Sequence, residues 1–193
     1  MRSKVLIFLT AMAQTCFFLS CQHISKKYCE DTNWRKEAFV VALQGENRTK
    51  FIEFQNQCKP FKVDLNQQSF DEGFDEGASQ FCLSEAGREF GASGLIYKGT
   101  CEKHANEIDF FKNYKLGRLD FLKNQFDSKS KKLEESNARL WRKKNEFELE
   151  SNTNPALAVN AYNELESYRV ENERLKSEIG NLNAQIIDLE TKN

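Results

Sequence analysis

The sequence predicts a mainly α-helical protein, in which a small disulfide-stapled helical domain is followed by a long helical hairpin or coiled coil. Four cysteines and most of the glycines lie between residues 29 and 101, whereas the chain after residue 127 is rich in Lys, Glu, Asn, Ser and Leu. Large apolar residues recur at seven-residue spacing in this second part. We therefore expect a compact domain over residues 28–104 and an extended helical tail over residues 105–193.

The overall charge argues against one class of function. The chain has 193 residues, with 28 Lys and Arg against 29 Asp and Glu, so its formal net charge is −1. A protein that binds nucleic acid through its phosphates shows an excess or a stripe of basic residues. We therefore expect no nucleic acid among the partners of this chain.

The N-terminal segment has the pattern of an export signal. Arg2 and Lys4 precede a run from Val5 to Leu19 that has no charged residue. A short basic region followed by an apolar region of about 7–15 residues is typical of a signal peptide, and a membrane-spanning helix needs about 20 apolar residues. Residues 1–20 are therefore predicted to be a signal peptide, and the protein is expected to be exported.

The end of this segment, Ser20 followed by Cys21, resembles the lipobox of bacterial lipoproteins, in which a small residue precedes a cysteine. The resemblance implies cleavage before Cys21 and acylation of its thiol, with residues 21–27 as a lipidated tether that holds the protein on a membrane. In such lipoproteins the absence of Asp after the cysteine favours the outer membrane, and Gln22 stands there. The expected location is the cell envelope, on the outer membrane and facing the periplasm.

An even number of cysteines remains after cleavage, and disulfides persist in exported proteins. The four are Cys29, Cys58, Cys82 and Cys101. They allow three pairings; short separation favours Cys29–Cys58 and Cys82–Cys101, but spacing alone does not decide. A metal site is disfavoured, because there is no CxxC pair and the only histidines are His23 and His104. We therefore expect structural disulfides, with no metal and no cofactor.

Three helices are predicted within the domain, over Asn33–Leu43, Lys50–Cys58 and about Asp64–Cys82. Pro60 ends the second helix, and Asp64 with Gln67 resembles a capping arrangement at the start of the third. The third helix contains the repeat Phe-Asp-Glu-Gly at 70–73 and 74–77. Its apolar and small residues share one face, namely Phe70, Gly73, Phe74, Gly77 and Phe81.

The two glycines of this face stand one turn apart, which predicts that the backbone of a neighbouring helix approaches closely. The acidic residues of the repeat, Asp71 with Asp75 and Glu72 with Glu76, stack at i, i+4. They are interpreted as a solvated acidic face rather than a cation site, because the spacing of a calcium loop is absent.

The order of aromatic residues, glycines and cysteines from Tyr28 to Cys101 resembles the domain of unknown function 2799 family, a family of bacterial lipoproteins without an assigned activity. The resemblance rests on Trp34, on the helix over residues 70–82 and on the Gly-rich segment that ends at Cys101. It implies export, lipidation and a helical fold, and it supplies no catalytic residue. In the segment Ala86–Cys101 the glycines fit neither phosphate-binding loop pattern, so tight turns are expected there.

The tail is predicted to form a helix from about Ala105 to Glu150, a break at Ser151–Pro155 and a second helix to about Leu189. The first helix has a narrow stripe of large apolar residues every seven positions, while Lys129, Ser136 and Lys143 are its polar companions. The second helix carries a coiled-coil seam of Leu165, Tyr168, Asn172, Leu175, Ile179, Leu182, Ile186 and Leu189. Either the helices fold back as an antiparallel hairpin about Pro155, which the short break favours, or chains associate through residues 158–189.

These features favour a non-enzymatic lipoprotein that presents a coiled-coil surface to a protein partner or to a second copy. No residue is singled out as catalytic, because there is no nucleophile elbow and neither histidine is well placed. Two alternatives remain open. One is an envelope enzyme acting on material such as peptidoglycan, and the other is a small-ligand-binding lipoprotein with a pocket beside the glycine-faced helix.

Overall fold

The computed structural model describes residues 24–191, which form helices and no strand within that range. The predicted signal peptide, Cys21 and His23 lie outside the described residues. The predicted fold class is confirmed, because a disulfide-linked helical domain is followed by two long helices that pack on each other. The helices are α1 (Lys26–Asp31), α2 (Trp34–Leu43), α3 (Lys50–Cys58) with a short 3₁₀ turn (Lys59–Phe61), α4 (Gln67–Phe81), α5 (Ser84–Ala92), α6 (Glu107–Thr153) and α7 (Pro155–Thr191).

The core of the first part continues past the expected boundary at residue 104. Phe110 and Tyr114, on the first turns of α6, are buried with the aromatic residues of α2 to α4. The Tyr114 hydroxyl donates to the carbonyl of Leu95 and accepts from the backbone N–H of Tyr97. We therefore call residues 24–118 the head and residues 119–191 the hairpin, with α6 belonging to both.

Asparagine side chains set where two helices of the head begin. Asn33 accepts from the backbone N–H of Lys36 at the start of α2, and Asn66 accepts from that of Ser69 at the start of α4. The predicted cap at Asp64 is therefore wrong, because Asn66 stands directly before the first helical residue and satisfies a free N–H there.

The four cysteines of the head are buried and form two disulfides with the pairing that sequence separation favours. Cys29–Cys58 joins α1 to the end of α3, and Cys82–Cys101 joins the end of α4 to the segment before α6. Together the two disulfides crosslink the segments at both ends of the aromatic core. A small head with a limited core is the kind of domain in which such crosslinks contribute most to stability.

The Gly-rich segment differs from its prediction, because residues Ser84–Ala92 form α5 rather than turns. Gly87 and Gly91 face α6, and a Cβ at either would overlap a backbone carbonyl oxygen of α6, that of Phe110 or Tyr114. The turn prediction holds only for Gly94 and Gly99, whose φ values are +81° and +87°.

Candidate interaction surface

The predicted seam of α7 faces α6 within the same chain. Asn172, Leu175 and Ile186 are buried, and the other five seam residues are half-buried. The seam also extends one heptad towards the turn, through the buried Ala158 and Ala161. The two helices run antiparallel, so the structure adopts the hairpin, the first of the two arrangements that the sequence left open.

Two lysines of α6 lie in this seam, and each is matched by a glutamate of α7. Lys129 Nζ lies 2.5 Å from Glu178, and Lys143 Nζ lies 2.6 Å from Glu164. The hydrogen bond from Lys129, joined by one from Arg174, holds the pKa of Glu178 below its ordinary value. These pairs explain how a helix with a narrow apolar stripe still makes a continuous interface.

A third polar layer lies between the lysine layers. Asn172 Nδ2 donates to Asn137 Oδ1 at 2.8 Å. The Asn172 Oδ1 and the Ser136 Oγ are both buried without a hydrogen-bond partner. Buried polar groups without a hydrogen-bond partner lower the stability of the fold. A polar layer inside a seam also fixes the register of the two helices.

An apolar groove of about 560 Å³ lies where the hairpin meets the head. We call it the junction groove. Its walls include Ile108, Phe111, Leu116, Leu119 and Leu189, and Lys112 and Lys115 lie along it. It opens on the side of α6 that faces away from α5, since Phe110, Tyr114 and Gly117 face α5. The groove therefore continues the surface on which α7 packs.

The face of α4 that the sequence singled out packs on α2. Phe70, Gly73, Phe74, Gly77 and Phe81 are all buried. A Cβ at Gly73 would overlap the carbonyl oxygen of Arg35, and one at Gly77 would lie 2.5 Å from that of Phe39. The two backbones touch at these glycines, and only a small surface pocket of about 240 Å³ lies beside them, between Arg35, Lys36 and Phe39 of α2 and Glu76 of α4.

The acidic repeat of α4 is engaged by two arginines. Arg35 forms ion pairs with Glu72 and Glu76, and Arg48 forms ion pairs with Asp71 and Asp75. The hydrogen bond from Arg35 holds the pKa of Glu76 below its ordinary value. The repeat thus links α4 to α2 and to the start of α3, a role that the sequence interpretation of a solvated face missed.

The comparison with protein families gives a match that lies almost wholly in the head. Residues 33–119 match the family described as protein of unknown function (DUF2799). The resemblance seen in the sequence is therefore confirmed over this region. Neither the curated proteins nor the solved structures that were compared with the chain gave a match.

The DUF2799 match runs from the start of α2 to Leu119 of α6, where the hairpin seam begins. It thus covers the first turns of α6, which also contribute residues to the core of the head. The junction groove lies at the border of this region. Ile108, Phe111 and Leu116 come from the DUF2799 part, and Leu189 comes from the hairpin.

Two further properties concern the described part of the chain. None of its helices is both long enough and apolar enough to cross a membrane. No three of its His, Cys, Asp and Glu residues are grouped as metal ligands would be. His104 Nδ1 accepts a hydrogen bond from the backbone N–H of Asn106 within the turn before α6.

Sequence reasoning missed the junction groove, although a signal for it exists. Lysines stand every fourteen residues at the same seam position of α6, at 115, 129 and 143. Glutamates of α7 match the last two, and Lys115 lines the junction groove. Fourteen residues are two heptads, so this repeat predicts that the pairing surface of α6 begins before residue 119.

Proposed function

We propose that the protein is a non-enzymatic lipoprotein of the cell envelope, anchored through acylated Cys21 and presenting its helical hairpin to a protein partner. The anchor would hold it on the outer membrane, facing the periplasm. The hairpin would form an arm about 50 Å long beyond the head, at the rise of an α-helix. The observation that supports a protein partner is the closed seam of the hairpin. Because α6 and α7 already pack on each other within the chain, the arm is folded before it binds.

Two features support export and anchoring. The N-terminal sequence has a basic start, an uncharged apolar run and a serine before Cys21. The head contains two buried disulfides, which persist in oxidising compartments such as the periplasm. A buried disulfide pair is unusual in a reducing cytosol, so the two features point to the same side of the membrane.

The hairpin supports the partner role through its outer surface. Although the seam between α6 and α7 is closed, several large apolar side chains on the outer surface of the hairpin are exposed to solvent, among them Trp141, Leu149 and Val170. Exposed aromatic and aliphatic side chains on a rigid element are typical anchors of protein interfaces. The arm would therefore bind without first unfolding.

Membrane fractionation tests the anchor. Cys21→Ser removes the thiol that would be acylated, and Cys16→Ser is the matched control within the apolar run. We expect the parent and Cys16→Ser to sediment with membranes and to incorporate radiolabelled palmitate, and Cys21→Ser to do neither. Equal membrane association and labelling of all three proteins would contradict the proposal.

Photocrosslinking in living cells tests the partner role. A photoreactive residue at Val170 on the arm is compared with one at Ile52 in the head, since both positions are exposed. We expect adducts from position 170 that position 52 does not give. Deleting α7 would be a poorer test, because it would expose the seam of α6. Adducts from the head position alone, or from neither position, would contradict the proposal.

A further inference from the structure

The first described residues of the chain lie on the head, close in sequence to the predicted anchor. Ile24 packs against the aromatic core, and the Ser25 side chain accepts from the backbone N–H of Tyr28 at the start of α1. A disulfide then joins α1 to the end of α3. Ile24 is three residues beyond Cys21, and three residues span at most about 11 Å. Acyl chains on Cys21 would therefore hold this end of the head at the membrane surface.

The head has two ends, which are separated by the length of α4. At the start of α4, Phe70 contacts the rings of Phe51 and Phe54 on α3, the helix that is joined to α1. At its end, Phe81 contacts Phe110 on the first turns of α6. Phe70 and Phe81 are about 16 Å apart at the rise of an α-helix. The start of α6, which leads into the hairpin, therefore lies at the opposite end of the head from α1.

Exposed lysines cluster where α1 meets the end of α3. The Cα atoms of the two disulfide-linked cysteines are 5.7 Å apart, so Lys59, which directly follows α3, lies beside α1. That helix carries Lys26 and Lys27, and both are exposed. Lys59 and Lys62 are also exposed, and they line one surface pocket of about 410 Å³. We call α1 together with the segment from Lys59 to Asp64 the α1 face.

Most lysines of the α1 face have no acidic partner. Lys26 pairs with Glu30 along α1 at 3.3 Å. Within residues 24–191, three side chains of the face form no ion pair, namely those of Lys27, Lys59 and Lys62. They stand against two unpaired carboxylates, Asp31 and Asp64. Lysines within about 8–10 Å of an anionic membrane surface strengthen binding to it, and the reach from Cys21 is of this order.

We propose that the α1 face lies on the membrane and that its lysines bind the phosphates of anionic phospholipid headgroups. The inference rests on the proposed function, because acylated Cys21 brings the face to the bilayer. The ammonium groups of Lys27, Lys59 and Lys62 lie at the level of the phosphates, while the stems of these side chains stay on the head. The head thereby acts as a spacer, since α4 separates the start of α6 from the bilayer surface.

Photolabelling from the bilayer tests the α1 face. The full chain, extracted from cell membranes, is placed in vesicles of phosphatidylethanolamine and phosphatidylglycerol that contain a lipid with a photoreactive headgroup. We expect labelling of the α1 face to exceed that of α5 about fivefold or more, because α5 packs on α6 at the other end of the head. Equal labelling of the two, or stronger labelling of α5, would overturn the inference.

Charge reversal distinguishes binding by the lysines from proximity alone. Lys59→Glu combined with Lys62→Glu should lower the labelling of α1, whose own sequence is unchanged, about fivefold or more. Lys131→Glu combined with Lys132→Glu is the matched control, because both residues are exposed on α6 in the hairpin, and it should leave the labelling unchanged. All four positions are exposed, so the helical circular dichroism of both variants should equal that of the parent. Loss of labelling in both variants, or in neither, would show that the lysines do not bind the headgroups.

Two further measurements separate the other outcomes. If the extracted chain carries acyl mass but is labelled evenly over the head, this inference is wrong and the anchor stands, whereas a chain without acyl mass would remove both. In cells, a photoreactive residue at Asn56, which lines the pocket with Lys59 and Lys62, should give adducts with phospholipid. Adducts with protein alone would show that a protein covers the face, and they would overturn the inference.

Discussion

Gly73 illustrates how single small residues determine the packing of the head. It brings α4 into backbone contact with α2 next to Arg35, and the arginine then reaches Glu72, which adjoins Gly73, and Glu76, about one turn further along α4. Gly87 and Gly91 do the same for α5 on α6. In each case the absence of a side chain on the glycine sets the distance between the two helices.

A glycine-to-alanine pair tests this at the residue scale. Gly73→Ala should lower the free energy of unfolding by about 1–3 kcal/mol or more, because its Cβ would overlap the Arg35 carbonyl and the helices would have to move apart. Gly180→Ala is the control, since nothing lies within 4 Å of a Cβ there, and it should raise stability by about 0.5–1 kcal/mol. Urea unfolding followed by circular dichroism measures both. Equal effects of the two substitutions would contradict this account of the glycine face.

The helix contact made by one glycine pair could be predicted from the sequence, whereas the contact made by the other pair could not. Gly73 and Gly77 lie between phenylalanines at helical spacing, so their face could be predicted. Gly87 and Gly91 have the same spacing, but Gly94 and Gly99 follow closely and make the whole segment resemble a loop. The partner that makes α5 a helix is α6, which comes later in the chain, and local sequence carries no sign of that contact.

At the scale of elements, the hairpin combines apolar layers with polar ones. The apolar layers supply most of the buried surface, and the layers of Lys129, Ser136 with Asn172, and Lys143 restrict the register. The seam of α7 could be predicted from its heptads. Its pairing with α6 could not, because the lysines of α6 look unsuited to a seam until the glutamates opposite them are known.

The polar layer at Asn172 is expected to lower the stability of the hairpin while it fixes the register of α6 against α7. Asn172→Leu removes a buried oxygen without a partner and replaces it with apolar surface, so the hairpin should gain about 1 kcal/mol after the lost bond to Asn137 is counted. Asn183→Leu, at an exposed position of α7, is the control and should change stability little. Thermal unfolding of the two variants decides this. A marked loss of stability in Asn172→Leu would show that the layer stabilises the hairpin.

The ion pairs of the seam predict a dependence on pH. The pKa of Glu178 is held below its ordinary value of 4.5 in the folded chain, so its contribution is present above that pH and is lost as the pH falls through the folded pKa. The parent should therefore lose more thermal stability than Glu178→Gln when the pH is lowered from neutral to below about 4.5. Glu135→Gln, at an exposed position of α6, should follow the parent. Parallel curves for the parent and Glu178→Gln would contradict the prediction.

At the scale of the whole molecule, α6 joins two parts of different character. Its first turns complete the aromatic core of the DUF2799 region, and its remainder pairs with α7. Composition placed the change near residue 104, because the last cysteine and the Gly-rich segment end there. The structure places it near Leu119, since Phe110 and Tyr114 belong to the head. A helix shared by two cores shows no change of period at the border, so the sequence alone does not reveal it.

The central proposal is that the chain works outside the cytosol, held on a membrane by acyl chains on Cys21. The most direct test is the intact mass of the protein extracted from cell membranes without reduction. The account predicts a chain that begins at Cys21, carries the mass of its acyl groups and lacks four hydrogens for the two disulfides. A full-length chain with Met1 retained, no acyl mass and all its thiols reduced would contradict it.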